Sequence, residues 1–560
     1  MVFHSRFCAA AWLTLVSTLI ARPAVADDRE RPESLVGDDA RRPFGPPNPE
    51  TFRVELHGEL QLRGQFQTKY ALDPTVSAVQ DKPGLAGRSM GQGSFATQWL
   101  RLTPKVFYRD TWTITAQADV FTGLVLGDTS VDVGADRAPR DNRGDLGNFV
   151  LPRALYLDWK TSIGLLRVGM QPNHWGMGIL ANDGDHPTLF GDYRMGQISE
   201  RILFGTKPFG KDTPFTVALA GDLVYRDANA RLYRGDVALQ GVLAASYEQG
   251  LDQFGLFAVY RYQTRDRSSF GEFANYTEGL DVLALDLAGR FARPVPGYQH
   301  SYVYGAIEAA VTLGDTNLVR TADQVQRGTR VDVRAYGGAA KLGFVLGAVA
   351  RDGDCKADAV DANKRPYGKY VAEAEVGYAS GDSDPYDNTQ KRFSFDANHR
   401  VGLVLFDEVL RWHTARASVA GSDPRLSNAS RPTPGLDLLP SNGGVFGATY
   451  INPTFLFRPR SWLDLKVGAV IAHASADLVS PYRLATEGNY VNYRGGDARA
   501  RDLGVEFDAG VDSRMKLANN LLFQSGAQAG VLLPGRALAD AQGALPANAW
   551  LLQLRAGLQF

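Results

Sequence analysis

Asn548-Ala-Trp-Leu-Leu-Gln-Leu-Arg-Ala-Gly-Leu-Gln-Phe560 alternates almost without a break. The even positions from Trp550 are Trp550, Leu552, Leu554, Ala556, Leu558 and Phe560, whereas the odd ones include Gln553, Arg555, Gly557 and Gln559. Successive side chains leave opposite faces of a strand, so one face here is continuously apolar and the other polar. A soluble sandwich packs such an apolar face on a second sheet. A membrane barrel turns it to lipid and keeps the polar face for a wet interior.

The same pattern opens the folded region. In Phe52-Arg-Val-Glu-Leu-His-Gly-Glu-Leu-Gln-Leu-Arg-Gly-Gln-Phe66 the even positions are apolar or Gly and the odd ones are charged, His or Gln. That regularity exceeds what a soluble surface strand needs. A final strand ending on an aromatic resembles the C-terminal signal that the insertion machinery of bacterial outer-membrane barrels reads. The resemblance implies that Phe560 serves as an insertion signal.

The start of the chain reads as an export signal. Arg6 precedes an apolar run from Phe7 to Ile20, and Ala24-Val25-Ala26 offers a small-x-small cleavage site. The run is shorter than the ~20 residues that a spanning helix needs. Cys8 lies within it without lipobox-like residues before it. Residues 1–26 are therefore expected to be a signal peptide, 27–51 a leader crowded with Pro43, Pro46, Pro47 and Pro49, and 52–560 a barrel. Loss of Arg6 and Arg22 leaves 58 Lys+Arg against 61 Asp+Glu, a net charge of −3. Only Cys355 remains after cleavage, so no internal disulfide is expected; a barrel closed by its own hydrogen bonds needs none. No run approaches a spanning helix, the longest apolar stretch being Leu342 to Ala350, which excludes helical membrane proteins.

Short turns and long loops then alternate. Tight turns are expected at Arg109-Asp110, Thr161-Ser162, Pro208 to Thr213, Gln249-Gly250, Arg293 to His300, Arg458 to Ser461 and Ser513 to Leu517. Long loops fall at 68–95, 122–150, 172–196, 227–235, 264–279, 314–330, 380–445, 476–500 and 533–547. The rhythm predicts an all-β, transmembrane, antiparallel up-and-down barrel of about 18 strands, with 16 as the alternative because 330–378 is ambiguous. Arg351 to Lys369 is long where a short turn is expected. In the largest loop, Phe406, Val409, Leu410 and His413 recur at helical spacing, either a helix folded into the pore mouth or one capping the outer surface. Trp112, Trp159 and Trp462 at turn ends and Trp550 at a loop end suggest two aromatic girdles.

The chemistry of the chain lies in its inward positions. Charges on the lipid face would cost about 2–4 kcal/mol each for a basic residue, so the charged strand positions must line the interior. Arg63, Arg101, Lys105, Asp119, Arg167, Arg226, Arg261, Arg290, Glu373, Glu375 and Arg555 are the candidates for the lumen and its selectivity. Arg53, Glu55, Glu59, Asp158, Glu308, Glu506 and Asp508 share that face. Their mixed signs favour no strong ion preference. No Gly-x-Ser-x-Gly elbow, Walker loop or HExxH is present, and the histidines read as scattered without ligand spacing, so no enzyme and no cofactor is expected. Asp183, Asp185, Asp382 and Asp384 are weak Ca²⁺ candidates in acidic loop clusters, as is Asp352-Gly-Asp354; solvated turns are the plainer reading.

Arg167-Val-Gly169-Met-Gln171-Pro-Asn-His-Trp175-Gly176-Met-Gly178 resembles the Gly-Arg-Gln…Gly stretch of alginate-export-type outer-membrane porins, and Gly377-Tyr-Ala-Ser-Gly381-Asp382 looks like a second hallmark. Met170 stands where that family usually has Arg. The overall rhythm is also similar to large bacterial outer-membrane barrels of uncharacterised cargo. The resemblance implies a porin-like barrel; a polyuronate cargo would need a strongly cationic lumen, which the mixed charges do not offer. The chain is thus expected in the outer membrane, in contact with lipid, lipopolysaccharide, the insertion machinery and small solutes, and not with nucleic acid. The function expected is passive diffusion of small polar or charged solutes. A non-conducting surface or adhesion barrel with a plugged lumen is the alternative, and an outer-membrane enzyme a more remote one.

Overall fold

In the first strand, β1 (Phe52–Gln67), the alternation becomes a wall with two faces. Phe52 is 62% exposed, Leu56 46% and Phe66 48%, all on the outer face. Gln61, Gln65 and Gln67 on the other face are buried. The computed structural model describes residues 52–68, 70, 93–109, 111–127, 150–191, 196–266, 277–298, 301–318, 328–349, 367–384, 387–422, 440–518 and 521–560. The signal peptide, the leader, Cys355, His300, Asp352-Gly-Asp354 and most of the Arg351–Lys369 connection lie outside them.

After β1 come β2 (Gly93–Tyr108), β3 (Trp112–Gly127), β4 (Val150–Lys160), β5 (Leu165–Pro172) and β6 (Ile198–Thr206). Then follow β7 (Phe215–Arg226), β8 (Asp236–Gln249), β9 (Asp252–Asp266), β10 (Thr277–Pro294), β11 (Tyr302–Thr316), β12 (Val331–Val349) and β13 (Tyr367–Ala379). A two-residue strand, β14 (Thr389–Gln390), lies parallel to β12 outside the main ladder. β15 (Ala448–Arg460), β16 (Leu463–Ala474), β17 (Asp502–Ala518), β18 (Leu521–Pro534) and β19 (Ala549–Gln559) complete the sheet. Each long strand pairs antiparallel with the next, β13 directly with β15. β19 returns to β1 in the register Glu59↔Gln559 to Gln67↔Leu551. At this seam Gly58 and Phe560 exchange both backbone N–H···O bonds at 2.9 Å. The result is a closed barrel of 18 long strands with no free edge, as its sequence rhythm predicts, and the 330–378 stretch resolves as β12 and β13.

The tight turns gather at one rim, where Arg109 takes a positive φ of 50° between β2 and β3; Ser513 to Leu517, expected as a turn, instead continue β17 in its pairing with β18. Trp112 and Trp159 stack there at 4.9 Å, and Trp550 stands exposed at the opposite rim. Among the described residues no helix is long and apolar enough to cross a membrane.

The core of the protein lies inside the barrel. Loops from the other rim turn inward and pack Ile179, Phe190, Phe393, Phe395, Leu403 and Phe406 against one another and against the wall. The wall makes room with small inward residues. A Cβ on Gly337 would lie 2.5 Å from the Phe393 ring, and one on Gly255 would lie 2.7 Å from Trp175. The helical spacing in the largest loop is realised as a π-helical turn, Leu405–Leu410, running into α1 (Arg411–Ser422). Residues 405–417 are buried throughout, so this helix sits in the lumen and does not cap the surface. A second short helix, α2 (Pro481–Glu487), starts on Ser480, whose side chain accepts from the Arg483 amide.

Candidate functional site in the barrel lumen

Several inward cations meet acidic partners on the wall. On β2, Arg101 donates to both oxygens of Asp119 on β3, at 2.7 and 3.2 Å, and lies 4.4 Å over the Trp99 ring. Arg63 on β1 lies over the same ring at 5.2 Å. Arg167 pairs with Asp158 at 2.6 Å, Arg201 with Asp222 at 2.6 Å and Arg261 with Asp227 at 2.5 Å. Arg458 and Arg514 share Asp464, each at 2.7 Å, and Arg555 and Lys466 share Asp512. Arg226 and Arg290 are buried. These pairs keep buried charges compensated; Arg261 ties β9 to the connection after β7, and the others each tie two strands.

A second group of inward charges is only half buried. Arg53, Glu55 and His57 form a chain at the turn side of β1, with Arg53–Glu55 3.1 Å and His57–Glu55 3.3 Å. Glu59, Arg63, Lys105, Glu373 and Arg555 are likewise half buried. Glu373 accepts from the Tyr304 hydroxyl at 2.8 Å, with Lys341 3.9 Å away. Water therefore reaches these charged side chains, while the infolded loops are packed.

Two wall carboxylates hold the infolded loops. Glu308 on β11 accepts the amides of Met177 and Ile179 from the β5–β6 loop (173–197). Glu506 on β17 accepts the amides of Leu403, Val404 and Leu405 from the β13–β15 loop (380–447). Those three N–H groups start the helical segment and have no partner within it, so the carboxylate acts as an external cap. Glu408 inside that segment accepts from Gln65 on β1 at 3.1 Å and from the Trp412 indole at 2.9 Å.

The loops also bind each other. His399 donates through Nδ1 to the Met177 carbonyl at 3.0 Å and through Nε2 to Glu375 on β13 at 2.9 Å; Tyr450 on β15 donates to the same carboxylate. Burial alone disfavours a charged imidazole here, but Glu375 more than offsets it and the His399 pKa is raised. Asp396 is pushed up to about 6 by burial, although Gln197 donates to it at 2.9 Å.

The acidic loop clusters differ from one another. Asp185 bonds Arg101 and Arg153, and Asp382 accepts the backbone amides of Asp384 and Lys391, so neither offers an open oxygen cage. Asp183 instead sits between two histidines, which corrects the reading of the histidines as scattered. The His186 Nδ1 is 2.9 Å and the His174 Nδ1 3.7 Å from Asp183 Oδ1, and the two rings stack at 3.9 Å. Burial opposes ionisation of Asp183, yet His186 and His174 hold its carboxyl below the usual range. The two histidines stand twelve positions apart in sequence, and positive φ at Gly176 (59°) and Gly178 (81°) turns the chain between them. The glycine pair was the one signal of that reversal.

A closed barrel, apolar outside and charged within, with loops folded into the lumen, defines a transmembrane β-barrel. Searches against protein-family models and against curated proteins find no match. Among solved structures the chain is similar to Pseudomonas aeruginosa OpdK with vanillate, at 9% identity and TM-score 0.45, covering 90% of this chain and 98% of that one. It is similar to Acinetobacter baumannii OccAB1 at 10% identity and TM-score 0.44, covering 90% and 97%. The outer membrane protein OprD from Pseudomonas aeruginosa gives 10% identity and TM-score 0.44, covering 90% and 94%. Nothing about cargo follows from likenesses of this order. They lend no support to the alginate-export resemblance, and the residues that carry it have structural work: Arg167 pairs with Asp158, and a Cβ on Gly169 would lie 2.2 Å from the Leu155 carbonyl oxygen.

Proposed function

We propose that this chain is an outer-membrane channel through which small polar or charged solutes diffuse passively. The observation that carries the reading is the division of the wall: an apolar outer belt suited to lipid, and ionisable groups turned inward along a ring of 18 strands. Such a division has little purpose unless the inner surface meets water, since a basic residue facing lipid would cost about 2–4 kcal/mol. Solutes meet first the half-buried charges: Arg63, Lys105, Glu373 and Arg555, with Arg53, Glu55 and His57 beside them. Arg101, Asp119, Arg167, Arg261 and Glu375 act chiefly as paired struts, and the β5–β6 and β13–β15 loops form the constriction. Lipid and lipopolysaccharide surround the barrel, and the insertion machinery reads the strand that ends in Phe560.

The test is single-channel recording of the refolded protein, Asp27 to Phe560, in a planar bilayer. Stable stepwise current is expected, with weak ion selectivity. A β-rich, heat-modifiable protein that inserts and stays silent would overturn the channel reading in favour of a plugged barrel.

A further inference from the structure

We infer that the β5–β6 loop carries a transition-metal site in which His174, Asp183 and His186 bind one divalent ion of the zinc, nickel or copper class. One donor atom from each residue lies within 4.8 Å of the other two. A single ion about 2 Å from each donor holds them roughly 3–4 Å apart, so closing on it brings the donors together by no more than about 1–2 Å.

The backbone holds the three residues in place. The Trp175 amide donates to the Ala181 carbonyl at 3.1 Å, which brings position 174 back beside 183. Arg153 donates to the Asp183 carbonyl at 2.8 Å, fixing the loop to β4. The Asp185 amide donates to Asp183 Oδ1 at 2.9 Å and orients the carboxylate, while the Asp185 side chain is anchored by Arg101 and Arg153. The scaffold is therefore built before an ion arrives.

Donor chemistry selects the class of ion. Calcium and magnesium take oxygen cages, whereas two imidazole nitrogens and one carboxylate suit zinc, nickel and copper. Charge agrees. Arg101 and Arg153 are matched by Asp119 and Asp185, which leaves the Asp183 carboxylate as the local negative charge facing the two imidazole rings. The His174 side chain is 3% exposed and that of His186 32%, so an ion enters past His186 and keeps an open position toward water. In the ion-free loop the His186 Nδ1–H donates to Asp183. Ligation through that nitrogen moves the proton to Nε2, the other tautomer of the neutral ring.

The experiment is a calorimetric titration of the refolded, untagged chain in detergent with Zn²⁺, paired with the visible spectrum on adding Co²⁺. One equivalent of Zn²⁺ is expected, with Co²⁺ bands that Zn²⁺ displaces and no heat from Ca²⁺. His186→Ala, at the exposed end, is expected to weaken Zn²⁺ binding by at least about tenfold while leaving heat-modifiability intact. Asp183→Asn gives a second, independent loss. Absence of saturable binding by the wild-type chain, or binding unchanged in both variants, would overturn the assignment. The result does not depend on whether the barrel conducts.

Discussion

His399 Nε2 stands 2.9 Å from Glu375 Oε1, and this contact ties the β13–β15 loop to β13, beside the anchor that Glu506 supplies on β17. Because the opposite ring nitrogen faces the Met177 carbonyl, both nitrogens face acceptors, and a doubly protonated ring satisfies both. The His399 pKa is raised, so its stabilisation is full below the ordinary histidine value of about 6.5 and fades as pH rises through the raised value. Asp396, raised to about 6, adds a loss of the same sign as pH climbs from about 4. Thermal melts between pH 5 and pH 9 should show the loops loosening on the alkaline side. His399→Gln should flatten the part of that dependence above neutrality; an unchanged profile would remove His399 from the account.

Glu506→Gln tests the loop anchor. The amide keeps the shape but replaces an accepting oxygen with a donor, so one of the three amides at Leu403, Val404 and Leu405 loses its partner, costing roughly 1–3 kcal/mol. Limited proteolysis of the β13–β15 loop should accelerate, and conductance should rise as the segment leaves the lumen. Equal proteolysis rates would show that the capping carboxylate contributes nothing.

Gly337 and Phe393 form a pair suited to a double-mutant cycle. Gly337→Val drives side-chain atoms into the Phe393 ring and should destabilise by about 1–3 kcal/mol. Phe393→Ala empties the same space, so the double variant should recover part of the loss. Strict additivity would mean that the two residues do not meet.

Selectivity should separate the half-buried charges from the buried struts. Arg555→Glu changes the sign of a charge that water reaches, so reversal potentials under a salt gradient should move toward cations. Arg167→Gln breaks the pair with Asp158 and should lower the melting temperature with little effect on selectivity. A converse outcome would place the conducting path beside β5.

Much of the wall was legible because a two-residue period leaves a clear trace wherever one face meets lipid and the other water. The trace fades where the inner face is apolar too. On β12 the inward residues are Val331, Val333, Ala335, Gly337 and Ala339, matched to the packed loops and not to water, which is why 330–378 reads ambiguously. Loop interiors were less legible still. The helical spacing of Phe406, Val409 and Leu410 could be read, but its burial depends on Glu506, about a hundred residues away. His174 and His186 meet through backbone turns at glycine, which no spacing rule encodes.

The mutual bonds of Gly58 and Phe560 have a consequence for how the molecule is made. They join residues about 500 apart, near the largest separation this chain allows, so the closing step carries a high loop entropy and has no local substitute. Before β19 arrives, β1 and β18 each present an unsatisfied edge that cannot persist in hydrocarbon. No truncated intermediate is a smaller working barrel, and membrane entry must be coupled to completion of the ring.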